Sequence, residues 1–314
     1  MGEHLQRALE RMAVNPNGGI AKVVIAAMAL VWASCFEVKP LMAQTASGEN
    51  ANAPDKTSYT FFNPAPDDQL RDLCTDRPPK ANLPCTVDAG HFQYESDVFN
   101  WTHAYNGGTT TDTFLYTNPT LKVGVTNTID LEASMAPFAR MTTKNASGSQ
   151  SVEGVGDMYY RAKLNLAGPE GGDFQMAVIP YVKAPTGSHG ISNKAVEGGA
   201  IVPVSFALPQ GFTLLFDPEI DVLRNANDFG RHTNVQFLGN LSHALADGVT
   251  GYIELWGQAN NDPASPNKQA SLDLSLAWLA WKKSPSLQFD VGANIGLTAA
   301  TPRLQLYLGV SQKF

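Results

Sequence analysis

Hydrophobic and polar residues alternate along most of the chain after residue 86. The last stretch is the clearest case, because Leu304, Leu306, Leu308 and Val310 fall on one face while polar and small residues fall on the other. Such a period of two is typical of β-strands, whose successive side chains point to opposite faces. No apolar stripe of useful length with the helical period of 3.6 residues occurs in this part of the sequence. The pattern therefore predicts an all-β region.

The alternating region divides into twelve predicted strands. Most contain 11 to 13 residues, which is long for a globular strand and suits a tilted strand that crosses a membrane. Short turns such as Thr126-Asn127 alternate with longer connections such as 105–112, 141–154 and 186–198, and this rhythm is typical of up-and-down outer-membrane barrels. The predicted strands are 87–104, 113–125, 128–140, 155–166, 173–185, 199–209, 211–223, 234–245, 249–259, 270–282, 286–298 and 302–314.

Two kinds of β protein fit this alternation, a soluble sandwich and a membrane barrel. Of the 314 residues, only 16% are charged and 43% are hydrophobic. A sandwich also alternates, because its apolar faces meet a core. Strand length, even strand number and a polar face with sparse charge favour a barrel, with one face toward lipid and one toward a wet lumen. We therefore expect a closed antiparallel transmembrane β-barrel over 87–314, preceded by an irregular N-terminal segment, since open sheet edges in lipid leave backbone groups unsatisfied.

The first 43 residues have the layout of a secretory signal peptide. A basic stretch precedes the apolar run 23–36, and a small residue, Ala43, stands at the expected cleavage site. The apolar run is too short for a spanning helix. Met12 is an alternative start to Met1. We expect export to the outer membrane of a Gram-negative bacterium.

The net charge and the hydropathy of the chain exclude some partners and some classes of protein. The formal net charge is −7, and it becomes −8 without residues 1–43. A nucleic-acid binder needs a basic surface, so nucleic acid is excluded as a partner. No stretch after residue 43 reaches the length of about 18 apolar residues that a spanning helix requires, which excludes a helical transporter.

Two cysteines remain after the signal peptide, Cys74 and Cys85. An even pair this close in an exported protein favours a disulfide, and two free thiols are the alternative. A zinc site would need two further ligands, and His91 is the only nearby histidine. We expect neither a metal nor a cofactor.

A motif ahead of the first strand resembles a known family. The chain reads Thr-Asp-Arg-Pro at 75–78, and at 84–95 it reads Pro-Cys-Thr-Val-Asp-Ala-Gly-His-Phe-Gln-Tyr-Glu. Both stretches, together with Gly156-Asp157 and 180–187, are similar to the outer-membrane family labelled "putative meta-pathway of phenol degradation". The resemblance implies a barrel transporter linked by name to the uptake of aromatic compounds. The chain departs from the pattern at Cys85, where an aromatic residue is usual.

Residues 44–86 are polar and rich in proline, and two hypotheses fit them. A barrel of twelve strands has a lumen that its own side chains fill only in part. The segment could form a plug or periplasmic gate in which Asp76 and Arg77 pair with charges of the lumen. The alternative is a disordered exported linker.

Alternate residues of each predicted strand point into the lumen, and this identifies the charged side chains expected to line the solute path. They could orient a polar solute or form structural ion pairs in the wall. Inward aromatic side chains could offer faces to an aromatic solute, and Phe314 at the end of the last strand resembles the signal read by the outer-membrane assembly machinery. The predicted inward charges are Lys122, Asp130, Glu132, Asp157, Arg161, Lys163, Lys183, Asp217, Glu219, Asp221, Glu254, Asp273, Asp290 and Arg303, and the inward aromatic residues are Tyr159, Tyr181, Tyr252, Trp256, Trp281 and Tyr307.

The expected function is a channel in the outer-membrane lipid that passes small solutes, including aromatic or hydrophobic compounds, by passive diffusion. A structural or adhesive barrel without transport is the alternative. An enzyme is a third hypothesis and has little support. No catalytic residues are assigned, because no histidine has an inward serine partner at the same depth and no hydrolase, zinc-protease or phosphate-loop motif occurs.

Overall fold

A computed structural model describes residues 55–283 and 286–314 of the chain. The predicted signal peptide (1–43) and residues 44–54 lie outside the described residues. The described part forms an antiparallel barrel of twelve strands, five of which are interrupted. The strands are β1 (Phe92–Asn106), β2 (Thr109–Leu115 and Asn118–Thr126), β3 (Ile129–Ser134 and Ala139–Asn145), β4 (Gly148–Gly154 and Met158–Ala167), β5 (Phe174–Ala184), β6 (Glu197–Ile201 and Val204–Ala207), β7 (Phe212–Phe216 and Glu219–Arg224), β8 (Arg231–Ala246), β9 (Val249–Asn260), β10 (Asn267–Trp281), β11 (Ser286–Gly296) and β12 (Leu304–Lys313).

The barrel is closed by pairing between its first and last strands. Gln93 of β1 faces Lys313 of β12, and the antiparallel ladder runs to His103 opposite Leu304. The predicted twelve-stranded closed barrel is therefore confirmed. β1 begins at Phe92 rather than at 87, because the chain turns sharply at Gly90, which has a φ of +79°.

Proline residues account for the breaks in β6 and β7. Pro203 and Pro218 stand in the two gaps, and proline has no N–H to donate to a ladder. The backbone N–H of Val202 still donates to the carbonyl of Pro218 (2.9 Å), so the two strands remain joined across their breaks.

The two faces of the wall have opposite chemistry. On β12, Leu308 is 50% exposed on the outside, whereas its neighbour Tyr307 is 6% exposed on the inside. The same inversion holds around the barrel, where large apolar side chains point outward and the buried residues are mostly polar or charged. An apolar exterior on a closed barrel is suited to lipid. Separately, the described residues contain no helix long and apolar enough to cross a membrane.

Some of the connections between strands differ in length from those predicted. At the end that holds residue 92 and Lys313, the turns are short, and at the other end a long connection, 185–196, joins β5 to β6. The expected loops 105–112 and 141–154 are instead extensions of paired strands. Gly107 and Gly108, both with positive φ, make the tight turn between β1 and β2. The residues around this turn and in 141–154 are mostly Thr, Ser, Asn and Gly, so they show no apolar alternation although their strands are paired.

Trp281 is also placed differently from the prediction. Parity along β10 puts it on the lumen side, but its side chain is 61% exposed. The pairing of β10 with β11 shifts register between Leu279 and Trp281. Such a bulge reverses the inward and outward alternation beyond it.

Candidate functional site

The chain ahead of β1 enters the barrel and returns. We call residues 70–88 the luminal segment, because their partners are inward-facing groups of the wall. The predicted disulfide between Cys74 and Cys85 is formed, with the two Cα atoms 6.4 Å apart. It closes a loop whose far end is Lys80. The segment between the two cysteines is therefore held as a closed loop inside the wall.

Asp76 is bound between two lysines of the wall. Its carboxylate accepts hydrogen bonds from Lys163 on β4 (2.9 Å) and from Lys122 on β2. Lys122 also pairs with Glu95 at 2.7 Å, and Glu132 lies 3.6 Å from Lys163. Burial by itself would raise the pKa of Asp76, but the charges of Lys122 and Lys163 outweigh it, and the pKa lies well below its usual range. Asp76 is thus an ionised partner of two buried ammonium groups.

Arg77 joins two carboxylates that lie on either side of β12. Its Nη1 donates to Asp97 on β1 (2.7 Å), and its Nε and Nη2 donate to the two oxygens of Asp290 on β11 (3.1 and 2.8 Å). Both aspartates are paired in register with Gly309, which lies between them on β12. Burial would lower the pKa of Arg77, but its bonds to Asp290 and Asp97 raise it above the ordinary value. The guanidinium therefore remains a charged bridge across three strands.

The far end of the luminal segment contacts strands β7, β9 and β10. Lys80 Nζ lies 2.7 Å from both Asp273 Oδ2 and Ser271 Oγ on β10. The backbone N–H groups of Lys80 and Ala81 donate to Glu254, and that of Asn82 donates to Asp217 (2.7 Å).

Apolar contacts reinforce this end of the segment. Ala81 packs in a small buried cluster with Leu215 and Leu238 of the wall, and Leu83 and Trp256 pack against the cluster. Hydrogen bonds, an ion pair and a small apolar cluster therefore all hold residues 80–83 against the wall.

Arg71 and Asp88, near the two ends of the luminal segment, are bound at the end of the barrel that holds Lys313. The Asp88 carboxylate is 2.9 Å from Arg71 Nε and 3.2 Å from Lys313 Nζ, and Lys56 lies 3.7 Å away. Burial would raise the pKa of Asp88, but Arg71 and Lys313 hold it below its usual value. Arg71 also donates to the carbonyl of Pro169 in the turn between β4 and β5 (2.6 Å).

The predicted site residues separate into two groups and some single residues. Asp76, Arg77, Lys122, Glu132, Lys163 and Asp217 belong to the contacts of the luminal segment, as does Asp130, which accepts a hydrogen bond from the Val87 N–H at 3.0 Å. Asp157 and Lys183 form a second group with Glu197 near the long 185–196 connection, where Lys183 lies 2.7 Å from Glu197.

The remaining predicted residues lie apart from these groups. Arg161 donates to Ser134 (2.9 Å), and Glu219 is on the inward face of β7. Arg303 precedes β12, is exposed, and lies 4.3 Å from the ring of Tyr105. Phe314 follows β12, where its N–H donates to the carbonyl of Phe92 (2.9 Å).

Several wall contacts were missed by sequence reasoning. Glu95 and Asp97 were not assigned to the lumen, and neither were Lys80, Asp88 or Lys313. The register of β1 shifts between Asp97 and Phe99, so a single parity does not describe the whole strand. The polar alternation Gln93, Glu95, Asp97 was the available signal for β1.

Within residues 55–283 and 286–314, no set of three or more His, Cys, Asp or Glu side chains could hold a metal ion.

Comparison with solved structures gives the same architecture. An outer membrane channel from Pseudomonas putida F1 matches with a TM-score of 0.54 and 14% identity, over 77% of this chain and 100% of that one. The β domain of the Bordetella autotransporter BrkA matches at 0.43 and 14% over 71% and 99% of the two chains. The translocator domain of the autotransporter NalP from Neisseria meningitidis matches at 0.44 and 12% over 71% and 88%. The first likeness shows a shared fold, and the other two scores are too low to carry an argument.

No curated protein sequence matches the chain. The closed barrel with an apolar exterior places it in the outer membrane of a Gram-negative cell. Over residues 75–314 the chain matches the family described as "Putative MetA-pathway of phenol degradation". That match covers the whole barrel and the motif at 75–95, and the chain therefore belongs to this family of outer-membrane barrels.

Proposed function

We propose that this chain is an outer-membrane channel for small solutes and that the luminal segment is its plug. The main support is the set of charged ties from Asp76, Arg77 and Lys80 to inward-facing wall residues. Ion pairs with wall groups are reversible contacts, so the plug can be released without breaking the barrel. The hydrogen-bonded wall would remain closed while the lumen opened.

A passive channel fits the chemistry of the lumen. Its lining is polar and holds both signs of charge, which suits a hydrated path for diffusion. Tyr159 and Tyr181, with ring centres 6.3 Å apart, would offer aromatic faces to a solute on the inward side of β4 and β5. Passage of small aromatic compounds agrees with the family description and is part of the proposal.

Liposome swelling tests the channel. We expect purified, refolded protein to admit small solutes such as phenol derivatives, and a chain without residues 44–86 to admit them faster. Swelling at the rate of empty liposomes for both proteins would contradict a channel and favour a structural or adhesive barrel. Equal rates above that background for both proteins would retain the channel and contradict the plug.

A further inference from the structure

Three groups of the wall surround the ammonium group of Lys80, and a fourth binds the backbone of the same residue. Asp273 Oδ2 and Ser271 Oγ each lie 2.7 Å from Nζ, and the Trp256 ring centre is 4.6 Å away. Glu254 accepts the backbone N–H of the same residue at 3.1 Å. We call these four residues the ammonium pocket.

The ammonium pocket has the chemistry of a site for an organic cation. A carboxylate and a hydroxyl accept hydrogen bonds from an ammonium, and an indole face attracts the same charge and covers an attached alkyl chain. Asp273 is only 3% exposed, yet its Oδ1 has no hydrogen-bond partner among the described residues. The pocket therefore keeps a buried acceptor that Lys80 leaves unused.

Lys80 is the most replaceable member of this arrangement. Its side chain is 29% exposed, whereas Asp273, Ser271 and Glu254 are buried in the wall. It stands at the far end of the loop closed by Cys74 and Cys85, on a flexible four-carbon stem. A solute that enters the lumen can reach the ammonium without first moving the wall.

We propose that the ammonium pocket binds primary organic ammonium ions and that Lys80 is a tethered occupant which such an ion displaces. This inference deepens the proposed channel function, because it names a class of solute and the wall site that recognises it. Displacement breaks the ion pair and the hydrogen bond by which Lys80 holds the luminal segment to β10. The same solute that binds the wall thereby loosens the segment that fills the lumen.

Calorimetric titration of the folded full-length protein in detergent tests the pocket. The probe is n-butylammonium chloride, with n-butanol as the uncharged comparison. In Lys80→Met the tethered competitor is gone, so we expect the dissociation constant for n-butylammonium to fall about tenfold or more relative to the unaltered chain. In the double variant with Asp273→Asn we expect this gain to be lost.

A matched control separates the site from a general charge effect. Lys268 is an exposed lysine on β10, the strand that carries Asp273, and Lys268→Met removes the same charge away from the pocket. It should leave the affinity unchanged. Equal affinities in Lys80→Met and the unaltered chain, or equal binding of n-butanol, would overturn the inference.

A measurement on the unaltered chain keeps the proposal testable if Lys80→Met does not fold. Binding of n-butylammonium should speed amide hydrogen exchange at Lys80 and Ala81, whose N–H groups donate to Glu254. Unchanged exchange at saturating n-butylammonium would contradict displacement. Titration and exchange require no transport, so a protein that binds the ion but swells no liposomes would contradict the channel alone, and the converse result would contradict the pocket alone.

Discussion

At the scale of single residues, Gly309 shows how closely the luminal segment fits the wall. It is the register partner of Asp97 on one side and of Asp290 on the other, and the Arg77 guanidinium lies over it. A Cβ at Gly309 would lie 1.9 Å from Arg77 Nη2. The glycine is therefore required for the bridge that Arg77 makes, and not for the backbone conformation of the strand.

We expect Gly309→Ala to shift the guanidinium away from Asp290. Loss of one charge-assisted hydrogen bond costs about 1.5–3 kcal/mol, so the luminal segment should be held less tightly and solute entry should be faster. Liposome swelling measures this change. Gly257→Ala is the control, because a Cβ there would lie 3.7 Å from the Gln269 carbonyl oxygen, an ordinary contact distance, so the added methyl group fits. Equal swelling rates for the two variants would contradict the role of Gly309.

At the scale of elements, the luminal segment depends on two features, a disulfide at its base and ion pairs along its length. The disulfide limits the freedom of residues 75–84, and the ion pairs fix them against particular strands. The two features respond to different conditions, because a disulfide is broken by reductants and a carboxylate is neutralised by acid.

Replacing both Cys74 and Cys85 by serine should loosen the segment without opening the barrel. Closing a loop of this length contributes about 2–3 kcal/mol in the chain-entropy description. We therefore expect faster amide hydrogen exchange across residues 75–84 and unchanged exchange in β9. Exchange in 75–84 as slow as in the unaltered chain would contradict this expectation.

The anchoring of Asp76 should withstand mild acid. Its pKa is lowered in the folded protein, so its contribution to stability is complete above the ordinary aspartate pKa of about 3.9 and is lost as the pH falls from there toward the lowered value. The Leu83 N–H donates to Asp76 Oδ1, and its exchange, corrected for intrinsic rate, reports the anchor. Protection should be equal at pH 7 and pH 5 and should fall below pH 4.

Two variants check this pH dependence. Asp76→Asn should weaken the protection of Leu83 already at pH 7, whereas Asp228→Asn, which alters an exposed carboxylate, should not. Loss of protection between pH 7 and pH 5 in the unaltered chain would indicate that another group controls the anchor.

At the scale of the whole molecule, the barrel is stabilised by a wall with two unlike faces. Ile253 is 55% exposed at the middle of β9, and Leu245 is 62% exposed beside the turn between β8 and β9. Both side chains point outward, and their positions along the strands lead us to expect that only Ile253 faces the lipid tails, whereas Leu245 lies near the membrane interface.

A lysine on the outer face should therefore be costly according to its depth. Ile253→Lys is expected to destabilise the barrel by about 2–4 kcal/mol, and Leu245→Lys by about 0–1 kcal/mol, because charge is tolerated near the interface. Unfolding by urea in lipid vesicles measures both. Similar costs at the two positions would contradict the assigned membrane depth.

The sequence by itself determined the strands, their number and the closed barrel, because period-two alternation and turn residues are local properties of a chain. The pattern on β12 required no knowledge of its neighbours. Local parity also placed Lys122, Glu132 and Lys163 on one face, although it failed where a bulge reverses the alternation, as at Trp281.

Only the tertiary structure decided which wall groups the luminal segment contacts. Arg77 meets Asp97 and Asp290, and Lys80 meets Asp273, at sequence separations that range from 20 to 213 residues. These pairings depend on strand register, on barrel closure and on the path of an irregular segment. None of the three is a local property, so the sequence revealed charged partners for the segment but not which of them would meet.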